Sequence, residues 1–372
     1  MSVTGITLGT GITLGNGLSM ISGPTPPPIP AVTFGTPTIM NSGAFTSVLQ
    51  PGCADIDSSG LITVVGTNGG NFGSAVSTNG TSWTGPTLAI SGDTFINRVV
   101  WSSYHNYFLA IGSGPSPNSY PIYATSSDGV TWSGPTVANA TTVSNIWALA
   151  VNNAGVFAAI VTFSGGQAGY MTSADGSTWT TPTAIPGAAS GVFFFNAAIT
   201  VNTSGNFVVT GYNGFDSTPW YAYSANGSSW TAQQLSGSTF TPRAVLWSSY
   251  YDLFVTIGGG VAPGSILGYS TSTDGTTWTT PVAITGSTNA MQIFSLAVDP
   301  AGIFVGVGQV QSASTTPIYL TSTNGVDWCA PTSFNGSTAA GYMRGVEYSA
   351  SLGKFVAVGS DFSANWLYAV SA

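Results

Sequence analysis

Residues 125–136 read TSSDGVTWSGPT. Asp128-Gly129 is the strongest short hairpin signal a sequence carries: the Asp side chain accepts backbone N–H groups across the turn, and Gly supplies the φ > 0 position. Five further stretches repeat the pattern: STNGTSWTGPT (77–87), TSADGSTWTTPT (172–183), YSANGSSWTAQQ (223–234), TSTDGTTWTTPV (271–282) and TSTNGVDWCAPT (321–332). Their tryptophans, Trp83, Trp132, Trp179, Trp230, Trp278 and Trp328, stand 49, 47, 51, 48 and 50 residues apart. A period this regular marks a repeat architecture.

Each period carries more than the turn. About 20 residues upstream lies an apolar block such as YFLAIGS, VFAAIVT or LFVTIGG, and upstream again another, such as RVVWSS, IWALAV or FSLAV. The unit reads as four short strands, exemplified by Ile146–Val151, Val156–Val161, Ala168–Ser173 and Thr178–Thr181. Tight turns such as NNAG, NTSG and DPAG join the first two. Four antiparallel strands in ~40–50 residues, repeated, are the signature of propeller blades. A seventh set, MRGVEYS, KFVAVGS and NWLYAVS, reaches Ala372 without a fourth strand. VTFGTPT (32–38) matches TSWTGPT, and Phe34 lies 49 residues before Trp83. The expected fold is therefore all-β: a seven-bladed β-propeller of four-stranded antiparallel blades over 32–372, closed by residues 32–38. Closure removes exposed sheet edges.

The motif Ser/Thr-x-Asp/Asn-Gly-x-x-Trp resembles the Asp-box, or BNR repeat, of sialidase-like β-propellers, over about residues 32–372. The resemblance implies that the box sits on the turn between third and fourth strands, at the blade periphery and away from the ligand face. Asp128, Asp175, Asp274 and their Asn counterparts would then hold hairpins, with each Trp packed between blades. Asp-boxes occur in hydrolases, lectins and structural propellers, so the resemblance implies an architecture and not an activity.

Composition narrows the function. Only 4% of the 372 residues are charged, against ~25% in ordinary domains. The cations are Arg98, Arg243, Arg344 and Lys354, and the net charge is −8. That excludes nucleic acid as a partner, which needs clustered basic residues, and an anionic membrane surface. No apolar run approaches the ~18 residues of a membrane span, so no membrane insertion is expected. Hydrophobic residues at 43% exclude a disordered chain. Cys53 and Cys329 have no metal-ligand spacing and are expected as two buried thiols without a disulfide. No metal or other cofactor is expected.

The front of the chain has a different grammar. GITLGTGITLGNGLSM (5–20) repeats every six residues, with Ile6, Leu8, Ile12, Leu14 and Leu18 alternating along it. Residues 1–23 are expected to form a Gly-rich β extension for assembly or anchoring, and 24–31, containing PTPPPIP, a stiff linker. The extension resembles short Gly-rich β repeats of tailed-phage structural proteins. That implies a virion component, homo-oligomeric in its assembly and held to other virion or appendage proteins. There is neither a basic n-region nor a continuous apolar run at the start, so no secretory signal is expected. The expected location is virion or extracellular.

The chemistry-bearing residues are few. A sialidase of the familiar kind sets three Arg on the substrate carboxylate beside a Tyr–Glu pair. Here Arg98 (NRVVWSSY), Arg243 (PRAVLWSSY) and Arg344 (MRGVEYS) each open a first strand. First strands line a propeller's channel, so the three converge near its mouth. Either they clamp an anionic group such as a carboxylated sugar, or each satisfies loop carbonyls or a nearby carboxylate such as Asp93. Glu347, the only Glu, lies three positions from Arg344, which strict alternation puts on the opposite strand face. The family's Arg-Ile-Pro motif is absent, and His105 reads as a surface turn residue on the other face. Long links of differing sequence at 112–121, 212–220, 258–265 and 308–317 share one face, where binding usually resides on a rigid scaffold. Tyr120 and Trp220 in them either stack on sugar rings or pack the links. The expected function is non-enzymatic: a phage virion or appendage protein displaying a propeller for host-surface or glycan recognition, or for particle decoration. A secreted lectin is the alternative, followed by an exo-glycosidase.

Overall fold

A computed structural model describes residues 32–40, 49–50, 52–68, 70–90, 95–114, 119–188, 195–235, 240–259, 267–288, 290–311, 315–334 and 341–372. The expected assembly segment, with Ile6, Leu8, Ile12, Leu14 and Leu18, and the Pro-rich linker lie outside these residues. Seven four-stranded antiparallel sheets make up the described chain, and it contains no helix. The innermost strands are Ala54–Ile56, Phe95–Ser102, Asn145–Val151, Phe195–Val201, Ala244–Ser248, Met291–Val298 and Gly341–Ser349. Each touches the next, and the last touches the first, so they form a closed cycle around a central channel. The molecule is a seven-bladed β-propeller.

Ring closure follows the sequence expectation. Thr38–Ile39 is the outer strand of blade seven, with Thr38 opposite Tyr368 and Ile39 opposite Leu367. Pairing extends to both sides: Phe34 bridges Ser371, and the Met40 N–H donates to the Trp366 carbonyl over 2.8 Å. The two chain ends of the ring are thus hydrogen-bonded to each other. Phe34 takes the place that Trp holds in the other six repeats. Its ring is buried 5.1 Å from Tyr319 and 5.0 Å from Phe334 of blade six.

The repeated turn shows why the blades dock. Asp175 Oδ1 accepts from the N–H groups of Ser177 and Thr178 (2.8 and 2.6 Å), and Ser173 Oγ donates to the same atom (3.0 Å). Asn226 and Asn324 do the same in their own turns. Gly176 takes φ = 66°, and its carbonyl accepts from Trp179 Nε1 (3.0 Å). With no side chain, the turn glycine presses against the second strand of the preceding blade. A Cβ on Gly275 would lie 2.6 Å from Val208, and one on Gly176 2.7 Å from Leu109. A tyrosine of the preceding blade seals the contact: Tyr107 donates to the Asp175 carbonyl and Tyr251 to that of Thr323.

Three expectations are corrected. The fourth strand of blade three is Thr183–Ala184, not Thr178–Thr181. Pro182 lacks an N–H, so the regular ladder forms only beyond it, and upstream there is a lone bridge from Ser173 to Trp179. Cys53 and Cys329 are free thiols as expected, but only Cys53 is buried. His105 is a half-buried wedge rather than a free surface residue. Its ring stacks on Tyr107 and Phe157, and Nε2 lies 3.0 Å from the Gly155 carbonyl of blade three.

Because Phe34 is fully buried at the seam, Phe34→Ala should cost about 3–5 kcal/mol in urea unfolding. Thr38→Ala, on the exposed side of the same strand, should stay within about 0.5 kcal/mol. Equal effects of the two would show that the strand does not close the ring.

Candidate functional site

The inner strands share a local device that shapes one end of the channel. Most carry a β-bulge near their start: the register shifts between Ile96 and Arg98, Ile146 and Ala148, Phe195 and Ala198, Ile293 and Ser295, and Met343 and Gly345. A bulge inserts one residue and re-aims its side chain. Trp147, Phe294 and Arg344 are such inserted residues. Arg243, Phe294 and Arg344 each lie four residues before the inner-strand residue that pairs with Phe254, Phe304 and Phe355, respectively. They therefore stand at one level on three consecutive blades. The bulge at Arg344 also breaks the strict alternation that would have set Arg344 and Glu347 on opposite faces.

At that level the cations stack on rings. The Arg344 guanidinium carbon lies 4.0 Å from the Phe294 ring centroid and 4.6 Å from that of Tyr342. The Arg243 guanidinium carbon lies 5.7 Å from the Phe294 centroid and 5.3 Å from that of Tyr212, and its Nε donates to the Gly259 carbonyl (3.0 Å). Arg98, from blade two, donates from Nε to the Trp147 carbonyl (2.6 Å). Arg98 and Arg243 are buried. Burial lowers both Arg98 and Arg344 to about 10, and each is lowered further by a neighbouring arginine, Arg344 for Arg98 and Arg243 for Arg344. Arg344 Nε is buried with no hydrogen-bond partner. Among the described residues, Arg243 and Arg344 meet rings, the Tyr212 hydroxyl and a carbonyl, and no carboxylate.

At the blade-seven end the stack runs out to solvent: Tyr342 makes an edge contact with Phe362, which is 60% exposed. At the other end Tyr212 is buried and precedes the link holding Phe215, which is 77% exposed. Phe362, Tyr342, Arg344, Phe294, Arg243 and Tyr212 thus form a ladder of alternating rings and cations across blades seven to four. Phe294, Tyr212 and Tyr342 were missed in the sequence. The usable signal was the repeat itself: Arg243, Phe294 and Arg344 are spaced 51 and 50 residues apart.

Behind the arginines lies a channel cavity of about 200 Å³, lined by Arg98, Trp147, Phe294 and Glu347 among others. Asp55 and Glu347 sit at the same level on blades one and seven, one residue before those that pair with Ile62 and Phe355. What surface Glu347 keeps opens into the cavity. Asp55 accepts from the N–H groups of Trp101 and Ile56, both at 2.7 Å. Burial pushes Asp55 up to about 6. Burial, reinforced by the Asp55 charge, pushes Glu347 well above the ordinary carboxylate range. Cys53 is driven up to about 12 by the same desolvation and is inert as a nucleophile.

The structure brings the three expected arginines to one end of the channel, but it does not bring the expected stacking residues with them. Trp220 is on the third strand of blade four, packed against the cluster between blades three and four, with Nε1 donating to Thr218 (3.2 Å). Tyr120 is half-buried in the link before the third strand of blade two, its carbonyl accepting from Gly114.

No protein-family profile and no curated protein matches the chain. Solved structures do. The BP39L lectin from Burkholderia pseudomallei is 14% identical with a TM-score of 0.63, covering 88% of this chain and 96% of the lectin. The WD40 β-propeller domain of Doa1 is 13% identical at 0.60, covering 91% and 97%. A PL25 polysaccharide lyase, an ulvan lyase, is 10% identical at 0.59, covering 91% and 94%. At such identities the likeness shows the shared propeller fold.

The carboxyl pair makes stability depend on pH in a defined direction. Both folded-state values are raised, so between the ordinary value near 4 and the folded values the native state holds more protons than the unfolded chain. Stability should therefore fall as pH rises from about 4 through 6 and beyond. Asp128, Asp175 and Asp274, whose values are lowered, oppose this only below about pH 4. Calorimetry of Glu347→Gln between pH 5 and 8 should show a flatter slope and a higher melting temperature at pH 8 than the parent; an unchanged slope would overturn the assignment.

Proposed function

We propose that this protein is a non-enzymatic carbohydrate-binding propeller that takes an acidic sugar at the arginine end of its channel. The observation that carries this is the pair Arg243 and Arg344, held over Phe294 and, among the described residues, without a carboxylate partner. Desolvating a guanidinium costs several kcal/mol, and a cation–π contact returns only about 0.5–2 kcal/mol. The deficit is offset when a ligand carboxylate or sulfate supplies charge-assisted hydrogen bonds. The exposed rings of Phe362 and Phe215 suit the apolar faces of adjoining sugars. Lectin and polysaccharide-lyase structures among the solved propellers are in keeping with a carbohydrate ligand.

The non-enzymatic reading rests on how Asp55, the neighbour of Glu347, is engaged: its two carboxylate oxygens accept from the N–H groups of Trp101 and Ile56. The turn geometry agrees with Asp-box repeats in a structural role. We further assign the protein to a phage particle or appendage, outside the cell, with residues 1–23 joining other virion chains in a homo-oligomeric assembly. The support is the alternating apolar pattern of that segment and a nearly uncharged sequence, not a contact.

Two experiments test the proposal. On a glycan array, Arg243→Gln and Arg344→Gln should each weaken binding to uronate- or sialate-bearing glycans by about 10–100-fold, the loss of one charged hydrogen bond. Equal binding by parent and variants would sink the acidic-sugar assignment. Deleting residues 1–23 should leave the melting temperature unchanged and convert the assembled form to monomer in light scattering. A truncated chain that still assembles would refute the anchoring role.

A further inference from the structure

Blade four departs from the other six at one residue. Three positions after the repeat Trp, or after Phe34 in blade seven, the sequence has Pro37, Pro86, Pro135, Pro182, Pro281 and Pro331; blade four has Gln233. The outer strand Thr231–Gln234 pairs over four consecutive residues, Tyr223 opposite Thr231 through Trp220 opposite Gln234. In blades two, three, five and six the same strand pairs over two, and in blade one it pairs at four positions interrupted by register shifts. The longer strand and the turn of blade five enclose a groove of about 350 Å³, lined by Tyr221, Gln233, Gln234, Thr277, Trp278 and Thr280 among others. That volume lies in the ~300–1,000 Å³ range of small-molecule sites.

The lining has a consistent chemistry. Tyr221 and Trp278 form an aromatic corner, ring centroids 6.0 Å apart at 50°. Trp278, like Trp328, is half-buried, whereas Trp83, Trp132, Trp179 and Trp230 are buried. Tyr221 Oη donates to the Thr276 carbonyl of blade five (2.5 Å) and also lies 2.8 Å from the Gln233 side-chain amide, which holds that amide at the groove. Gln234, Thr277 and Thr280 are exposed amides and hydroxyls. The lining contains no charged residue. Burial, and after it the charge of Asp274, raises the Tyr221 phenol, and Asp274 Oδ1 is engaged by the N–H groups of Thr276 and Thr277.

We propose that the groove between blades four and five, formed by Tyr221, Gln233, Gln234 and Trp278, is a second ligand site that takes a single neutral sugar unit. A pyranose offers an apolar C–H face for the ring corner and hydroxyls that match amide and hydroxyl partners. Asp274 discourages an anion. The site is independent of the arginine ladder and stands whether or not that ladder binds acidic sugars.

The test is saturation-transfer NMR and calorimetry with neutral probes: glucose, galactose, mannose, fucose, N-acetylglucosamine and their disaccharides. The parent should bind at least one of them. Gln233→Ala should weaken it by at least about tenfold, as for loss of a hydrogen-bonding group. Gln233→Pro, which restores the residue of the other blades, should abolish it while melting as the parent does. Arg344→Gln should bind the neutral sugar unchanged and lose only acidic glycans, which separates failure here from failure of the channel site. No binding of any probe at tens of millimolar, or undiminished binding by both Gln233 variants, would overturn the proposal.

Discussion

One side-chain oxygen in each of six blades organises this ring. In these turns an Asp or Asn oxygen accepts two successive backbone N–H groups, which lets the chain reverse without leaving donors bare. The reversal places a glycine, with no side chain, against the preceding blade, and the following Trp closes over the joint by donating to that glycine's carbonyl. Each turn is thus both the end of one blade and the mortar to the one before. The contact needs almost no charge, because hydroxyls, amides and carbonyls satisfy one another. A chain with so few ionic groups can hold seven sheets together in this way.

The inner strands solve a different problem. A ring of seven sheets leaves an axial gap that side chains must line or leave open. Repeated bulges turn one residue per strand inward at one end, and these positions carry Trp147, Phe294 and Arg344. Rings there flank cations, and the cations lose their hydration without gaining a carboxylate. Deeper along the channel, burial raises both Asp55 and Glu347, and the Asp55 charge raises Glu347 further.

Much of the fold was legible because its determinants are local. The Asp-Gly and Asn-Gly turns, the Trp period and the match of 32–38 to an outer strand need no knowledge of contacts. The fourth strand was misplaced because the ladder resumes only after Pro182, a backbone effect that side-chain pattern does not display. The site was half legible. Arg98, Arg243 and Arg344 were visible as cations at strand starts, but their stacking on Phe294 depends on bulges, and a bulge leaves no mark on a period of two. Asp55 and Glu347 are 292 positions apart and become neighbours only through ring closure. Trp220 drew notice for its link, whereas its strand register commits it to the core between blades.

Scarcity of charge gives the arginine cluster its meaning. In an ordinary domain, three arginines near one another would be crossed by many carboxylates, and their local potential would be cancelled or hidden. Here four cations serve the whole chain, three of them gather at one mouth, and the rest of the sequence offers mainly neutral groups. The net charge of −8 repels an anion weakly from every other direction. On the proposed reading, an acidic sugar would meet a favourable electrostatic well where rings, a channel and the unpartnered Nε of Arg344 coincide. Selectivity would then arise less from the strength of any single contact than from the scarcity of other cations in the sequence.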